Sequence, residues 1–314
     1  MPELPEVQTT VNGLQAHLPG LRIMKAWTDY DSAFHRGKDS IKDPKYFKYF
    51  KDEVEGAKVG EVKRIAKNIL IHIEKGRARS VILVHMKMTG HILYGKYVFD
   101  PKTSKMGSWK PAPGERSSLF DPYNRFVHFV LTLSNGKHVV LCDSRKFAKV
   151  TLIPEGYLKQ TVHLEDIGPD PTAKDFNFIM FKDRVKMRPT GRIKNVLMDQ
   201  SIIAGVGNIY SDEALWRVGL NPEERVRNIS DQTLKKLYPA LLKVLGTGID
   251  FGGDSMSDYR NIHGERGKFQ EHHRVYQRKG EKCLRAGCKG HIVRKVVGGR
   301  SAHFCDTHQK LLVK

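Results

Sequence analysis

The sequence has no apolar run long enough to span a membrane. Its most hydrophobic stretches, such as residues 81–84, have the length of a β-strand, and a membrane-spanning helix needs roughly 20 apolar residues. The start of the chain also lacks a signal-peptide pattern, because Glu3 and Glu6 stand where such a peptide carries positive charge. We therefore expect an intracellular protein, located in the cytoplasm or nucleoid, with no membrane contact.

Cysteine is scarce, with 4 in 314 residues, which excludes a disulfide-stabilised scaffold. Three of the four are clustered, in the pattern Cys283-x4-Cys288-x16-Cys305-x2-His308. This pattern has the ligand number and spacing of a structural zinc site. His291 and His303 are alternative ligands, and three reduced cysteines without a metal would account for the same pattern. We expect one structural zinc ion per chain, bound by Cys283, Cys288, Cys305 and His308.

Acidic residues are few compared with basic ones. The chain has 54 Lys and Arg against 34 Asp and Glu, a net charge of +20. Residues 260–314 hold 14 basic and 4 acidic residues, so half of the excess lies in this segment. Such an excess favours a polyanion such as nucleic acid as the partner. A solvated basic surface without a partner is the alternative.

The first half of the chain has the pattern of a β-sheet domain. Apolar runs at 69–73, 81–85, 126–133, 138–141 and 150–153 predict strands, and Asn135-Gly136 predicts a hairpin between two of them. Pro5, placed before an apolar helical pattern, predicts a short first helix. Four prolines predict that residues 95–125 form a long loop. We therefore expect a β-sandwich with flanking helices.

The second half has helical patterns that follow a break at residues 168–171. Helices are predicted at 193–197, at 208–218 and from the N-cap Ser230, with a kink or local break at Pro239. Residues 252–269 are rich in glycine and polar residues, which predicts a long loop. The fold class is therefore α+β, with predicted domains at 1–165, 166–269 and 270–314; the last is a small zinc-finger hairpin.

The first residues offer an unusual nucleophile. Proline is small enough for Met1 to be removed, which would leave a free secondary amine at Pro2. Such an amine can attack a sugar C1′, expel a base and form an iminium that acidifies the 2′ proton. Glu3 could protonate the opened sugar oxygen. A simple capping turn before a helix would account for the same residues.

Several motifs together resemble the formamidopyrimidine-DNA glycosylase and endonuclease VIII family. The start Met-Pro-Glu-Leu-Pro-Glu-Val resembles the family's N-terminus, and the likeness continues in order along essentially the whole chain. The resemblance implies that Pro2 is the nucleophile and Glu3 the general acid. It also implies that Lys67, in Arg-Ile-Ala-Lys-Asn-Ile-Leu, is the family's essential lysine. With Met1 attached, Pro2 would be an unreactive amide nitrogen.

Two further motifs resemble the loops that fill the gap left by an everted base. Residues 85–90 place Met88 in the first loop, and residues 142–147 place Arg145 and Phe147 in the second. A flipped base leaves a vacant stack that such residues can occupy. The chain departs from the family pattern in three places. Lys87 replaces a common glycine, Ser144 a usual proline and Ala148 a usual glycine.

The second half resembles the family's helix–two-turn–helix and finger. Residues 193–200 and 204–210 match the former, which implies that Lys194 and Asn208 hold phosphates. Arg300 matches the arginine that the family inserts toward DNA from the finger. The family's usual finger has two Cys-x2-Cys pairs, so the longer first gap and His308 are departures.

The resemblance implies a bifunctional base-excision repair glycosylase and abasic-site lyase. It would act through a Pro2 Schiff base and nick the strand by β,δ-elimination. The partner would be double-stranded DNA with oxidised or abasic lesions, bound by a monomer. The 252–269 segment resembles the loop that caps oxidised purines, which favours 8-oxoguanine and formamidopyrimidines. Alternatives are an endonuclease VIII-like enzyme for oxidised pyrimidines, a non-catalytic DNA-binding protein and an RNA-binding protein with the same helices.

Overall fold

The computed structural model describes residues 1–103, 108–158 and 160–312. The chain separates into two compact units. The first unit comprises Met1–Glu165 and Gly252–Lys268, and the second comprises Asp166–Phe251 and Phe269–Lys314. Within the described residues, no helix is both long enough and apolar enough to cross a membrane.

The first unit is the predicted β-sandwich with helices beside it. One antiparallel sheet has the strand order β1-β8-β9-β5, and the other has the order β10-β4-β3-β2. Apolar side chains from both sheets and from the first helix share one core. The elements are α1 (Leu4–His17), β1 (Ile23–Thr28), α2 (Pro44–Val54), β2 (Lys58–Ile65), β3 (Asn68–Lys75), β4 (Ala78–His85), β5 (His91–Gly95), β6 (Tyr97–Asp100), β7 (Ser108–Pro111), β8 (Val127–Leu133), β9 (His138–Cys142) and β10 (Lys149–Pro154).

The first helix forms as the sequence predicted. Pro5 lies in its first turn, where a missing N–H costs no hydrogen bond. Val7, Val11 and Leu14 follow at helical spacing and are buried. They belong to the core that the two sheets share, and α1 packs against β2 and β3. This packing fixes where the N-terminus lies on the sandwich.

The sequence predicted a long loop at residues 95–125, and this prediction is wrong for residues 95–103 and 108–125. Residues 104–107 lie outside the described residues. Strands β6 and β7 pair as an antiparallel hairpin, and Ser117–Phe120 and Pro122–Arg125 form short 3₁₀ helices. Aromatic packing accounts for the hairpin, because Phe99 and Trp109 contact each other and both contact Trp27 of β1. The prolines mark the ends of these short elements.

The second unit contains the predicted helices and finger hairpin. Its elements are α3 (Phe178–Lys186), α4 (Ile193–Met198), α5 (Asn208–Val218), α6 (Asp231–Asp250), β11 (Ile292–Val297) and β12 (Arg300–Cys305). Ser230 caps α6 as expected, since its side chain accepts a hydrogen bond from the Thr233 N–H. Helix α6 continues through Pro239, so the local break predicted as one of two possibilities there is wrong, while the kink stays a prediction. Burial of Leu237 and Leu241 on either side holds the helix together.

Residues 252–268 belong to the first unit, whereas the sequence pattern predicted them as part of the second domain. Long-range hydrogen bonds account for the difference. The Tyr94 N–H donates to the Ile262 carbonyl at 2.7 Å, and the Tyr259 hydroxyl donates to the Glu6 carbonyl at 3.0 Å. A chain segment far away in sequence therefore packs beside the N-terminal helix.

Candidate functional site

The N-terminal residues are held in a buried position. Pro2 and Glu3 are buried, with Glu3 only 3% exposed. The Glu3 N–H donates to Glu6 Oε2 at 2.7 Å, while Glu6 Oε1 accepts from the Asp254 N–H at 2.7 Å. Glu6 therefore links the proposed nucleophile segment to the 252–268 segment. A carboxylate that accepts two backbone N–H groups is a rigid link.

Lys67 lies in a two-residue turn that is fixed next to the first helix. The turn joins β2 to β3, and its first residue, Ala66, has a φ of 52°. Arg64 donates to Gln8 of α1 at 2.7 Å and to the Ala66 carbonyl at 3.0 Å. Lys67 itself is only 7% exposed. A buried lysine in a turn is unusual, which supports a function for it.

Strand register brings three loops to one end of the second sheet. Asn68 pairs with His85, and His85 pairs with Lys149 on its other side. The Lys67 turn, the loop after β4 and the loop before β10 therefore begin side by side. The proposed catalytic lysine and the two proposed gap-filling loops thus share one edge of the first unit.

The three proposed gap-filling side chains are exposed on two loops that are tied together. Met88 is 38% and Phe147 50% exposed, and the Arg145 guanidinium lies 4.5 Å from the centre of the Phe147 ring. The buried Asp143 carboxylate accepts from the Thr89 hydroxyl and, at 2.6 Å, from the Ala148 N–H. The Arg145 N–H also donates to the Thr89 hydroxyl oxygen, at 3.2 Å. Large side chains therefore face solvent on a rigid base.

Lys87 adopts a left-handed backbone conformation that residues with a side chain rarely adopt. Lys87 has a φ of 56°, a conformation that favours the glycine common at this position. Its N–H donates to His85 Nδ1 at 3.0 Å, and burial lowers the pKa of His85 to about 3, so this ring is neutral at neutral pH. Gly90 is required, because an added Cβ would lie 2.3 Å from the Met86 carbonyl oxygen.

A buried arginine fastens the 252–268 segment to the 3₁₀ helices. Arg260 is 3% exposed and contacts Asp121 with two hydrogen bonds, of 3.1 and 3.3 Å. Its remaining terminal nitrogen donates to the carbonyls of Ser257 and Tyr259, at 2.9 and 2.8 Å. Arg260 therefore fixes both the position and the local conformation of the segment.

We expect Arg260→Met to loosen this segment. Removing one partner of a buried ion pair leaves the other uncompensated, so the opening free energy should fall by about 2 kcal/mol. Hydrogen exchange in residues 252–268 should then be about 30-fold faster. Arg116→Met is the matched control, because Arg116 and Glu265 join the same two segments at 4.0 Å but are 59% and 53% exposed. Equal exchange in both variants would contradict the anchoring role.

In the second unit, Lys194 is fully buried. Its Nζ donates to Asp212 Oδ1 at 2.5 Å and to the Ser301 carbonyl at 2.8 Å. Asp212 Oδ2 accepts the His303 N–H at 2.8 Å. The pair therefore joins α4 and α5 to β12. A phosphate contact by Lys194 stays a prediction, and it requires the buried ammonium to become accessible.

The other two predicted DNA contacts lie at element ends. Asn208 is partly exposed at the first position of α5, and its side-chain oxygen has no hydrogen-bond partner among the described residues. Arg300 is exposed at the start of β12, after a turn in which Gly298 and Gly299 have φ values of 53° and 77°. Arg300 is therefore open to an external ligand, whereas the Asn208 side-chain oxygen is buried, so its phosphate contact stays a prediction.

The four predicted zinc ligands converge on one point. Their ligand atoms all lie within 4.8 Å of one another. The Cys283 Sγ–His308 Nδ1 distance is 3.4 Å, and the Cys288 Sγ–Cys305 Sγ distance is 3.6 Å. Tetrahedral zinc with ordinary bond lengths places such atoms roughly 3.5–3.8 Å apart. The Cys3His set therefore fits one structural zinc ion, as predicted.

Neighbouring groups orient these ligands. The other ring nitrogen of His308 lies 3.3 Å from the Trp216 carbonyl, and the Trp216 indole N–H donates to Cys283 Sγ at 3.3 Å. Such outer contacts fix the tautomer and direction of a ligand. His303 is not a ligand, because its ring faces Asp212. With four protein ligands the site has no open position for catalysis.

Sequence reasoning missed two carboxylates that organise these loops, whereas the family resemblance already places a third, Glu213, inside the second helix near the site. Glu6 and Asp143 position the N-terminus and the two exposed loops. Glu213 accepts the N–H groups of residues 274, 275 and 276 at 2.9–3.0 Å, which fixes the chain that leads into the finger. Asp143 gave one usable signal, since an acidic residue directly after a buried strand often closes a turn.

Models of three families match the chain. The "Formamidopyrimidine-DNA glycosylase N-terminal domain" matches residues 1–150, the "H2TH domain" of the same glycosylase matches residues 167–260, and the "Zinc finger found in FPG and IleRS" matches residues 280–307. A formamidopyrimidine-DNA glycosylase of Pelotomaculum thermopropionicum is 34% identical, covering 99% of this chain and all of the relative. That of Bacillus subtilis is 32% identical, with 97% and 98% covered.

Solved structures show the same fold. Lactococcus lactis Fpg in a complex with abasic-site DNA has a TM-score of 0.78 and 26% identity, over 98% of this chain and 99% of that one. MutM in complex with DNA containing carbocyclic 8-oxo-G has a TM-score of 0.76 and 27% identity, over 97% and 98%. The fold and the matching families are those of a DNA glycosylase of base-excision repair. The chain belongs to the formamidopyrimidine-DNA glycosylase family.

Proposed function

We propose that this protein excises oxidised bases from double-stranded DNA and then nicks the strand, with Pro2 as the nucleophile. The main support for this proposal is the arrangement of residues at one edge of the first unit. The buried Lys67 turn and the two exposed gap-filling loops lie side by side there, and Arg64 beside that turn donates to Gln8 of the helix that follows the buried Pro2-Glu3 segment. A non-catalytic DNA-binding protein would need the exposed loops but neither the buried Pro2-Glu3 segment nor the buried Lys67.

The proposed reaction begins with attack of the Pro2 nitrogen on C1′ of the damaged nucleotide. The bond from C1′ to the base breaks, and Glu3 protonates the ring oxygen as the sugar opens. The resulting iminium acidifies the 2′ proton, whose removal expels the 3′ phosphate. A second elimination expels the 5′ phosphate, and water releases the sugar fragment from Pro2. Lys67 holds a flanking phosphate and assists proton transfer.

Oxidised purines are the proposed substrates. The 252–268 segment has the length of a capping loop, and Glu6 and Arg260 hold it beside the N-terminus within the first unit. A preorganised cap over an everted base adds contacts to a large ring system. The relatives named as formamidopyrimidine-DNA glycosylases support the same choice over an endonuclease VIII-like preference for oxidised pyrimidines.

A trapping experiment tests the proposal. Purified protein is incubated with duplexes that carry 8-oxoguanine, thymine glycol or an abasic site, and borohydride is added to reduce any iminium. We expect covalent adducts with 8-oxoguanine and with the abasic site. Adducts with thymine glycol but not 8-oxoguanine would indicate the pyrimidine-specific alternative. An absence of adducts with all three duplexes would leave a DNA-binding protein without catalysis.

The exposed loops give a separate prediction. Met88, Arg145 and Phe147 carry no group suited to the required proton transfers, so we expect them to stabilise the everted state. Their alanine variants should lose about 10-fold or more of their activity on 8-oxoguanine duplex, because each base stack is worth about 1–3 kcal/mol. They should keep more activity on an abasic site, where less flipping work remains.

The matched control is Phe120→Ala. Phe120 is 53% exposed and Phe147 50% exposed, but Phe120 lies outside both loops. It should leave both activities unchanged. Equal losses on the two substrates in the loop variants would refute the gap-filling role.

A further inference from the structure

A basic pocket opens beside the proposed gap-filling loops. It has a volume of about 780 Å³ and lies entirely within residues 35–163 of the first unit. Its walls are formed by residues of the 35–42 segment and of strand β10, together with residue 157 and residues 160–163. Lys87 and Phe147 also line the pocket, and each belongs to one of the two loops. The pocket therefore adjoins the surface that we propose meets DNA.

Charge in this pocket is strongly one-sided. Lys38, Lys42, Lys87 and Lys149 line it, and we call these four residues the lysine pocket. Among the described residues that line the pocket, one is acidic, Asp39. Four lysines and one aspartate leave an excess of three positive charges. Two of the lysines have fixed positions. Lys42 Nζ donates to the Lys146 carbonyl at 2.5 Å, and Lys149 Nζ donates to His163 Nδ1 at 3.0 Å.

The lysines are close enough to repel one another. Burial lowers the pKa of Lys149, and the positive charge of Lys87 lowers it further. Burial likewise lowers the pKa of Lys42, against the attraction of Asp143, and Lys87 and Lys149 add to the lowering. An excess of like charges held together costs stability, and a bound anion would relieve that cost.

We propose that the lysine pocket binds backbone phosphates of the DNA next to the point where Phe147 enters the base stack. The proposal rests on the proposed function, because that function places Phe147 in DNA. Duplex DNA carries phosphates on both sides of any intercalated side chain, within reach of groups at the same loop. Lys87 supplies one of the pocket's four cations from the same loop as Met88.

The salt dependence of DNA binding tests the proposal. The double variant Lys87→Gln/Lys149→Gln is titrated with duplex that contains a tetrahydrofuran abasic analogue, at several salt concentrations. A plot of log K against log salt concentration has a negative slope, and each lost phosphate contact makes this slope shallower by about 0.9. For the double variant we expect the steepness of this slope to decrease by about 1–2 and DNA binding at low salt to be weaker.

Lys25→Gln/Lys58→Gln is the matched control. It removes the same charge from exposed positions of β1 and β2 that do not line the pocket, and its slope should be unchanged. Because Lys149 is partly buried, Lys38→Gln at an exposed position serves as a second test if the double variant is poorly folded. A slope equal to that of the control in both pocket variants would overturn the proposal.

Two further arms identify the source of the phosphate. Neutral methylphosphonate linkages are placed one at a time on each strand near the lesion, and one or two positions should weaken binding of the wild-type protein but not of the double variant. Inorganic phosphate is titrated alone by calorimetry. If it binds through the lysine pocket while the DNA slope stays unchanged, the pocket serves a small anion and the DNA proposal fails. These arms measure binding and not catalysis, so failure of the trapping experiment remains distinguishable.

Discussion

Pro2→Gly should reduce base release from 8-oxoguanine duplex by about 100-fold or more, because it removes the secondary amine and leaves a primary one. The iminium formed by a secondary amine carries a permanent positive charge at neutral pH, which favours the following elimination. The measurement is single-turnover release of the base at saturating enzyme, with strand nicking followed in the same samples.

Retention of Met1 gives an even larger expected effect. With Met1 attached, the Pro2 nitrogen is an amide without a nucleophilic lone pair, and base release should fall to background. Mass spectrometry of the N-terminus should show that active protein lacks Met1. Peptide mapping of the borohydride adduct should place it on Pro2; an adduct on Lys67 would overturn the assignment.

Glu6 shows which part of the proposed site is predictable from the sequence and which is not. The N-terminal motif points to Pro2 and Glu3, because their residue types suit the proposed reaction and the family resemblance implies these roles over a simple capping turn. Glu6 acts instead through its position, since its two carboxylate oxygens accept the N–H groups of Glu3 and Asp254. The bond to Asp254 joins residues that are 248 apart in the sequence, so no local pattern could reveal it.

The predictable parts of the fold are those that depend on local chemistry. Asn135-Gly136 specifies a tight turn by itself, and β8 and β9 pair around it. The zinc ligands follow from residue type and spacing. The β6–β7 hairpin depends instead on aromatic contacts with Trp27, which lies far earlier in the chain, so its own proline-rich sequence predicted a loop. The burial of Lys67 and Lys194 likewise depends on residues distant in sequence.

Helix α6 shows how packing can override a strong local signal. A helix is expected to break wherever proline removes a backbone donor, and Pro239 removes one here. The helix nevertheless continues from Asp231 to Asp250, because buried leucines lie on both sides of the proline. Tertiary contacts of this kind cannot be read from a window of neighbouring residues.

Removal of one zinc ligand should unfold the finger while the rest of the protein stays folded. Cys305→Ser should lower the zinc content from one ion per chain to nearly none, because a structural zinc supplies roughly 10–16 kcal/mol of folding free energy in small zinc peptides. The finger has little apolar burial of its own, with a small cluster around Val275 and Ile292. Elemental analysis of the purified variant measures the metal directly.

Loss of the finger should weaken DNA binding about 10-fold or more, since Arg300 then loses its fixed position and one good arginine contact is worth about 1–3 kcal/mol. Helical circular dichroism should persist, because the helices of the second unit bury apolar residues of their own.

Cys142→Ser is the matched control: this cysteine is buried in β9 of the first unit and is not one of the four converging ligands, so its loss should leave the zinc content unchanged. His308→Cys should retain zinc, because thiolate is an equally good ligand. Fully active protein that contains no zinc would refute the metal site.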